Sequence, residues 1–299
     1  MSTQSLTGVA PPQMITIALV QMTASKSVES NLTFLETHIR KAAEQGAQYV
    51  QTPENSLLMD LDGERVRQVV NSDLYHQGLE RLFALAKEHQ IWLHIGASPV
   101  MVDHASAQPE DDQKSVPQLA NRSFVVGPDG RVRDFYDKIH MFDVQLPGGE
   151  HYRESTNYLS GERAVVVETD FARLGLSICY DLRFAGLYRQ LAQAGAEIIA
   201  VPAAFTAYTG KAHWHVLLRA RAIETGCFVV ASAQTGLHET KRETFGHSLV
   251  IAPWGDVVLD SGPQAGVFMT KIDLQQVHEA RSQVPSLRHD RPFEVDAPL

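Results

Sequence analysis

Two cysteines serve a chain of 299 residues, and one of them stands where a thiol can work as a nucleophile. Cys179 follows the apolar run Leu174-Gly175-Leu176-Ser177-Ile178 and opens Cys179-Tyr180-Asp181-Leu182-Arg183-Phe184. The run has the length and composition of a buried strand, and the segment after it reads as the start of a helix. A cysteine at that junction is held in a sharp turn with its sulfur exposed. The helix dipole and free backbone N–H groups there favour thiolate over thiol. The arrangement is the thiol counterpart of the strand-to-helix elbow that presents a catalytic serine. A buried cysteine is otherwise a small apolar filler, and Cys227, inside Cys227-Phe228-Val229-Val230-Ala231, reads that way.

Two other strand exits carry charge. Ala47 to Thr52 reads as a short strand ended by Pro53-Glu54-Asn55. Ser123 to Val126, the turn Gly127-Pro128-Asp129-Gly130 and Arg131 to Tyr136 read as a hairpin followed by Asp137-Lys138-Ile139-His140. In open α/β sheets, sites assemble beyond the carboxyl ends of strands. Glu54, Lys138 and Cys179 then supply a general base, an oxyanion donor and a nucleophile, the parts of an acyl-transfer site. The residues alone leave a rival open, a Cys–His dyad with His140, His213 or His247 as base. A metal centre is not expected. His213 and His215 face apart at i and i+2 of a helix, and no third ligand has a recognisable spacing.

At these residues the chain resembles the nitrilase, or carbon–nitrogen hydrolase, superfamily. The resemblance rests on Thr52-Pro53-Glu54-Asn55, Tyr136-Asp137-Lys138-Ile139-His140 and Ser177-Ile178-Cys179-Tyr180-Asp181, and it runs from about Ile15 to about Phe293. It implies a Glu54–Lys138–Cys179 triad that hydrolyses a C–N bond through a thioester. Glu154 is implied as a second carboxylate that positions Lys138 or the substrate amide. Within the superfamily the segments 180–184 and 212–225 look most like the Nit branch, and most like its members that act on deaminated glutathione. That resemblance implies cleavage to 2-oxoglutarate and cysteinylglycine without a cofactor, by at least a homodimer. The alternatives are an omega-amidase acting on 2-oxoglutaramate, nitrile hydrolysis, or a binding protein on the same fold. The last would need one of the three positions to be spoiled, and none is. Tyr180 is expected to lend its backbone N–H to the oxyanion, and His213 to lie beside the substrate. Arg183, one helical turn beyond Cys179, and Lys211, at the start of a helix over 211–224, are expected to clamp two substrate carboxylates. Lys211 and His215 depart from the branch, which usually has proline and glutamate there.

Composition bounds the rest. With 44% hydrophobic and 20% charged residues the chain is ordinary globular protein. A net charge of −9 without a basic run speaks against a nucleic-acid surface. No apolar stretch is long enough to cross a bilayer, and residues 1–13 read as a flexible tail without signal-peptide character. So few cysteines imply a reducing compartment, the cytoplasm. Strands at 14–21, 47–52, 91–97, 172–178, 198–201 and 227–231 alternate with helices: one carries Leu32, Leu35, Ile39 and Ala42 and stops at Gly46, and others run over 74–89, 184–194 and 211–224. A hairpin joins 246–251 to 257–260, and 103–118 reads as a solvated loop. Two successive βαβ-like halves in one domain, 14–299, suggest two sheets face to face with helices outside. The resemblance implies the same, a four-layer αββα sandwich, although pattern alone also allows a doubly wound sheet.

Overall fold

The computed structural model describes residues 14–102, 118–147 and 151–296. The expected tail at 1–13, and all but the last residue of the expected loop at 103–118, lie outside the described residues. The first half of the chain begins with β1 (Met14–Gln21), α1 (Val28–Glu44), β2 (Tyr49–Gln51), α2 (Gly63–Val70) and α3 (Asp73–His89). It continues with β3 (Trp92–Val102), β4 (Gln118–Val126), β5 (Val132–Asp137), the small hairpin β6 (Asp143–Gln145) and β7 (His151–Arg153), and β8 (Tyr158–Leu159). The second half runs through β9 (Val166–Glu168), β10 (Arg173–Leu176), α4 (Ala185–Gln193), β11 (Ile198–Ala200), α5 (Ala207–Thr225) and β12 (Phe228–Ala231). A hairpin of β13 (Thr235–Leu237) and β14 (Glu243–Phe245) follows. The chain then forms β15 (Leu249–Ile251), β16 (Val257–Asp260), β17 (Gly266–Asp273) and α6 (Gln275–Gln283).

These elements make two main sheets. Sheet 1 has the order β17-β1-β2-β3-β4-β5, with β8 beside β4, and sheet 2 the order β16-β15-β12-β11-β10-β9. Each has a parallel centre, β1-β2-β3 in one and β10-β11-β12 in the other. Strands buried on both faces read as continuous apolar runs, and β11 (Ile198-Ile199-Ala200) is fully buried. One apolar cluster joins the two sheets: Ile17, Leu19, Tyr49 and Val125 from sheet 1 meet Leu174, Leu176, Ile199 and Val229 from sheet 2. Outside sheet 1, Leu32, Leu35 and Ile39 of α1 and Leu82 and Leu85 of α3 pack over Ala18, Val20, Val50 and Leu93. Outside sheet 2, α4 contributes Leu187 and Leu191, and α5 Trp214 and Leu218. The result is the four-layer αββα sandwich. A doubly wound single sheet is excluded by the two separate strand orders.

Helix starts follow local chemistry. Ser27 caps α1 by accepting the Ser30 N–H, and Ser72 caps α3 by accepting that of Tyr75; such caps contribute about 1 kcal/mol each. The last long helix departs from expectation. α5 begins at Ala207, capped by Thr206, so Lys211 lies a full turn inside it and not at its positive end. The segment after Cys179 is also not a continuous helix: a five-residue 3₁₀ turn, Cys179–Arg183, precedes α4.

Candidate active site

The exits of β2, β5 and β10 meet at one cleft, and Glu54, Asn121, Lys138, Glu154 and Cys179 line it. The Lys138 Nζ lies 3.1 Å from Glu54 Oε1, and 2.8 and 3.0 Å from the two oxygens of Glu154. Asn121 Nδ2 donates to Glu54 Oε1 at 2.9 Å and to Glu154 Oε1 at 3.2 Å. The backbone N–H of Ala204 donates to Glu54 Oε2 at 2.8 Å, and that of Phe142 to Glu154 Oε2 at 2.7 Å. Every oxygen of the two carboxylates is therefore held by a donor. Glu54 and Lys138 are 3% and 2% exposed; charges so deeply buried persist only when paired and hydrogen-bonded.

Electrostatics decide the resting protonation. Burial pushes the Glu54 carboxyl up, but Lys138, a hydrogen bond with the Cys179 thiol, and Arg242 together hold it below the usual carboxylate range. Burial likewise pulls Lys138 down, and the Glu154 and Glu54 carboxylates outweigh it and hold the ammonium well above the lysine range. Cys179 goes the other way. Burial, then the Glu54 carboxylate, push its thiol far up, and Lys138 and Arg242 offset only part of that. The expectation of an exposed, dipole-stabilised thiolate is thus corrected. Cys179 is 5% exposed, and an anion beside it outweighs the short turn it opens. The resting state is thiol, carboxylate and ammonium.

The elbow itself is as expected. Cys179 has φ +48° and Asn55, next to Glu54, has φ +59°; left-handed backbone at non-glycine residues costs about 1–3 kcal/mol and concentrates at functional sites. Asp181, fully buried, maintains the elbow. One oxygen accepts the Ile178 N–H at 2.9 Å and the Tyr136 hydroxyl at 2.7 Å. The other accepts the His140 N–H at 3.0 Å and lies 2.7 Å from His140 Nδ1. A single carboxylate thereby ties the segment carrying Lys138 to the segment carrying Cys179. Glu54 is tied across the sheets: Gln234 Nε2 donates to its carbonyl at 3.0 Å, and Ser232 Oγ to the carbonyl of Thr52 at 2.7 Å. Gly96 permits this close approach, because a Cβ there would lie 2.0 Å from the Thr52 carbonyl oxygen.

The expected substrate contacts fare less well. The Tyr180 ring lines a small side cavity that also reaches Cys179. The backbone N–H of Tyr180 stands at the start of a helical turn, where donors lack intrahelical partners. Arg183 is not among the lining residues. Its guanidinium lies over the rings of Phe205 and Tyr180, 5.2 and 5.8 Å from their centroids, and its Nη1 is 3.3 Å from His213 Nδ1. His213 and Lys211 are exposed on α5 and line neither cavity. Neither residue of the expected clamp, Arg183 or Lys211, lines either cavity. Sequence reasoning missed Asn121, Asp181 and Arg242, the last lining both cavities. Arg242 follows a hairpin turn with no motif to mark it.

The three candidate histidines each have another partner. His140 is bonded to Asp181, His213 lies against Arg183, and His247 Nδ1 is 2.8 Å from Asp260 Oδ1. The Cys–His alternative is thereby set aside. His215 Nε2 lies 3.0 Å from the other Asp260 oxygen, and the three residues present ligand-type atoms within 4.8 Å of one another. A third partner for His215 thus exists in space that spacing along the chain did not suggest. The cluster is a hydrogen-bonded network whose residues line neither cavity. Among the described residues, no helix is long and apolar enough to cross a membrane.

Fold and cleft together bring a thiol, a carboxylate and an ammonium to one place, the parts that an acyl-transfer hydrolase requires. The family model described as Carbon-nitrogen hydrolase matches residues 16–282, and the chain belongs to that family, whose members hydrolyse C–N bonds such as amides. A deaminated glutathione amidase of Synechocystis is 38% identical over 91% of this chain and 96% of its own length. A deaminated glutathione amidase of Bos taurus is 38% identical over 92% of this chain and 82% of its own. The crystal structure of the C. elegans NitFhit protein superposes with a TM-score of 0.82 at 35% identity. That match covers 95% of this chain and 66% of the other. Saccharomyces cerevisiae Nit3, described as a member of branch 10 of the nitrilase superfamily, gives 0.78 at 27% identity, covering 92% and 96%.

Proposed function

We propose that this enzyme hydrolyses the amide of deaminated glutathione, releasing 2-oxoglutarate and cysteinylglycine. The reading is carried by the convergence of Glu54, Lys138 and Cys179 in a chain whose relatives at 38% identity bear that activity in their names. In the mechanism, Glu54 removes the thiol proton as Cys179 Sγ attacks the amide carbon. The tetrahedral oxyanion is held by Lys138 and the Tyr180 N–H. A bifurcated bond to Glu154 leaves the ammonium, with its three donors, one for this purpose, and Glu154 keeps it oriented. Collapse breaks the C–N bond while Glu54 returns the proton to the departing amine, leaving the thioester. Glu54 then deprotonates water for attack on the thioester and reprotonates the thiolate, which restores the resting state. Because the base is created beside the nucleophile, the raised thiol costs little: proton transfer occurs within the hydrogen bond that already exists.

The test is the ratio of kcat/KM for deaminated glutathione and for 2-oxoglutaramate. A ratio above one is expected. A ratio below one makes the enzyme an omega-amidase, and turnover of neither sinks the assignment. We further infer that residues 14–296 act as one domain, given the apolar cluster shared by both sheets, and that the enzyme works as a homodimer in the cytoplasm. In support, Tyr208, Val216 and Ile223 form an apolar stripe on α5 that is 56–67% exposed, beside Trp254 at 58%, and both cysteines are free. Sedimentation at a monomer's mass would overturn the dimer.

A further inference from the structure

We propose that Arg242 binds a carboxylate of the substrate and so gives the cleft its preference for anionic amides. The proposal rests on the amidase reading above and names the group that selects the substrate. Arg242 directly precedes β14 and is placed by the β13–β14 hairpin. The His238 N–H donates to the Arg242 carbonyl at 2.9 Å. The buried His238 ring is fixed at both nitrogens, 2.8 Å from the Ala24 carbonyl and 2.8 Å from Thr244 Oγ1.

The guanidinium itself is underused. It donates to the carbonyl of Ala204, while its Nε is buried and has no hydrogen-bond partner among the described residues. A buried donor left unmade carries a free-energy penalty that a ligand can relieve. Two other arginines show what a carboxylate partner looks like here: Arg122 makes two bonds to Asp137, and Arg221 one to Glu224. Arg242 forms no such pair among the described residues. It lies instead against aromatic faces, 5.0 Å from the Tyr152 centroid and 5.8 Å from that of Phe142, surfaces that hold a guanidinium without neutralising it.

Charge makes the need specific. The cleft already contains the carboxylates of Glu54 and Glu154, and Lys138 is committed to both. A substrate carboxylate entering beside them requires a second cation. Arg242 is near enough to the reacting groups for its charge to lower both Cys179 and Glu54, and it lines both cavities that reach the sulfur. A planar fork suits a carboxylate better than an ammonium does. The carboxylate is that of the oxo-acid half or that of the dipeptide half, and the two halves can be tested apart.

The experiment compares the wild type, Arg242→Gln and Arg242→Lys on deaminated glutathione and on pentanamide, a neutral amide of the same acyl length. Both rates fall in Arg242→Gln, because the charge also acts on Cys179 and Glu54. The ratio of kcat/KM between the two substrates is expected to collapse at least thirtyfold, mainly through KM, with partial recovery in Arg242→Lys. A ratio within threefold of wild type overturns the proposal. If Arg242→Gln turns over neither amide, calorimetric titration decides. In a Cys179→Ala background that retains its melting temperature, Arg242→Gln is expected to weaken either 2-oxoglutarate or cysteinylglycine at least tenfold, which identifies the half bound. Equal affinities for both overturn it. Should wild type hydrolyse pentanamide but no oxo-acid amide, the glutathione reading fails alone. Inhibition of pentanamide hydrolysis by glutarate, lost in Arg242→Gln, would still sustain the role of Arg242, and its retention would end it.

Discussion

Cys179 and Cys227 look alike by most measures applied to a thiol. Both are buried, both belong to the apolar cluster around sheet 2, and burial raises both above the ordinary cysteine value. They differ in what the sulfur meets. Cys227 Sγ lies 3.2 Å from the Ala196 carbonyl and 3.0 Å from Arg281 Nη2, and it lines neither cavity of the site. Cys179 meets the Glu54 carboxylate, sits on left-handed backbone and lines a cleft. A low thiol pKa is therefore not what marks the nucleophile here. On the proposed mechanism the distinguishing feature is a carboxylate within hydrogen-bond reach, whose charge also favours the protonated thiol.

The largest effect that separates the two is turnover. Cys179→Ala is expected to cost about 10⁴–10⁶ in kcat, since it removes a covalent nucleophile; Cys227→Ala should stay within about threefold. Comparable losses in both variants would erase the distinction. Next comes the base. Glu54→Gln should lose about 10²–10⁴ in kcat, the usual yield of general base catalysis, and should make alkylation of Cys179 by iodoacetamide slower at neutral pH, not faster. Faster labelling would mean that the carboxylate only suppresses the thiolate. The pH profile gives a smaller effect. Glu54 is held below its ordinary value, so its ionised form is fully present at and above that value and is lost as pH falls through the lowered one. The acid limb of kcat/KM should then lie below about pH 4.3 and drop tenfold per unit; a limb near 6.5 would restore a histidine base. The smallest effect belongs to the structural thiol. Cys227→Ala gives up a hydrogen bond worth about 1 kcal/mol, a fall of about 2 °C in Tm.

The convergence of Glu54, Lys138 and Cys179 was legible in the sequence because each follows a strand end, and the ends of strands that run the same way point to one side. The thiolate expectation failed for a related reason: a helix dipole is read from neighbouring residues, whereas the Glu54 carboxylate that opposes it arrives from the other sheet. Asn121 acts through partners distant in sequence, and Asp181 through Tyr136 and His140 as well as its neighbour Ile178, so little that is local distinguished them from surface polar residues. Arg242 was hidden in the same way, between His238 and Thr244 in a hairpin too short to read as strands. The start of α5 was misplaced because Thr209 and Gly210 are poor helix formers, and the compensating cap at Thr206 accepts a bond visible only in three dimensions. Its displacement removed Lys211 from the helix end on which its expected role depended.

Sheet 2 is one uninterrupted block, residues 166–260, whereas β17 returns from beyond it to pair with β1 along its whole length. Glu54 and Lys138 thus come from one side of the sandwich and Cys179 from the other. During synthesis the nascent chain therefore carries all three side chains long before it can hydrolyse anything. The first sheet is complete only once its last strand, β17, has been made and paired with β1, so the order of synthesis puts all three side chains in the chain before the sheets that bring them together are whole.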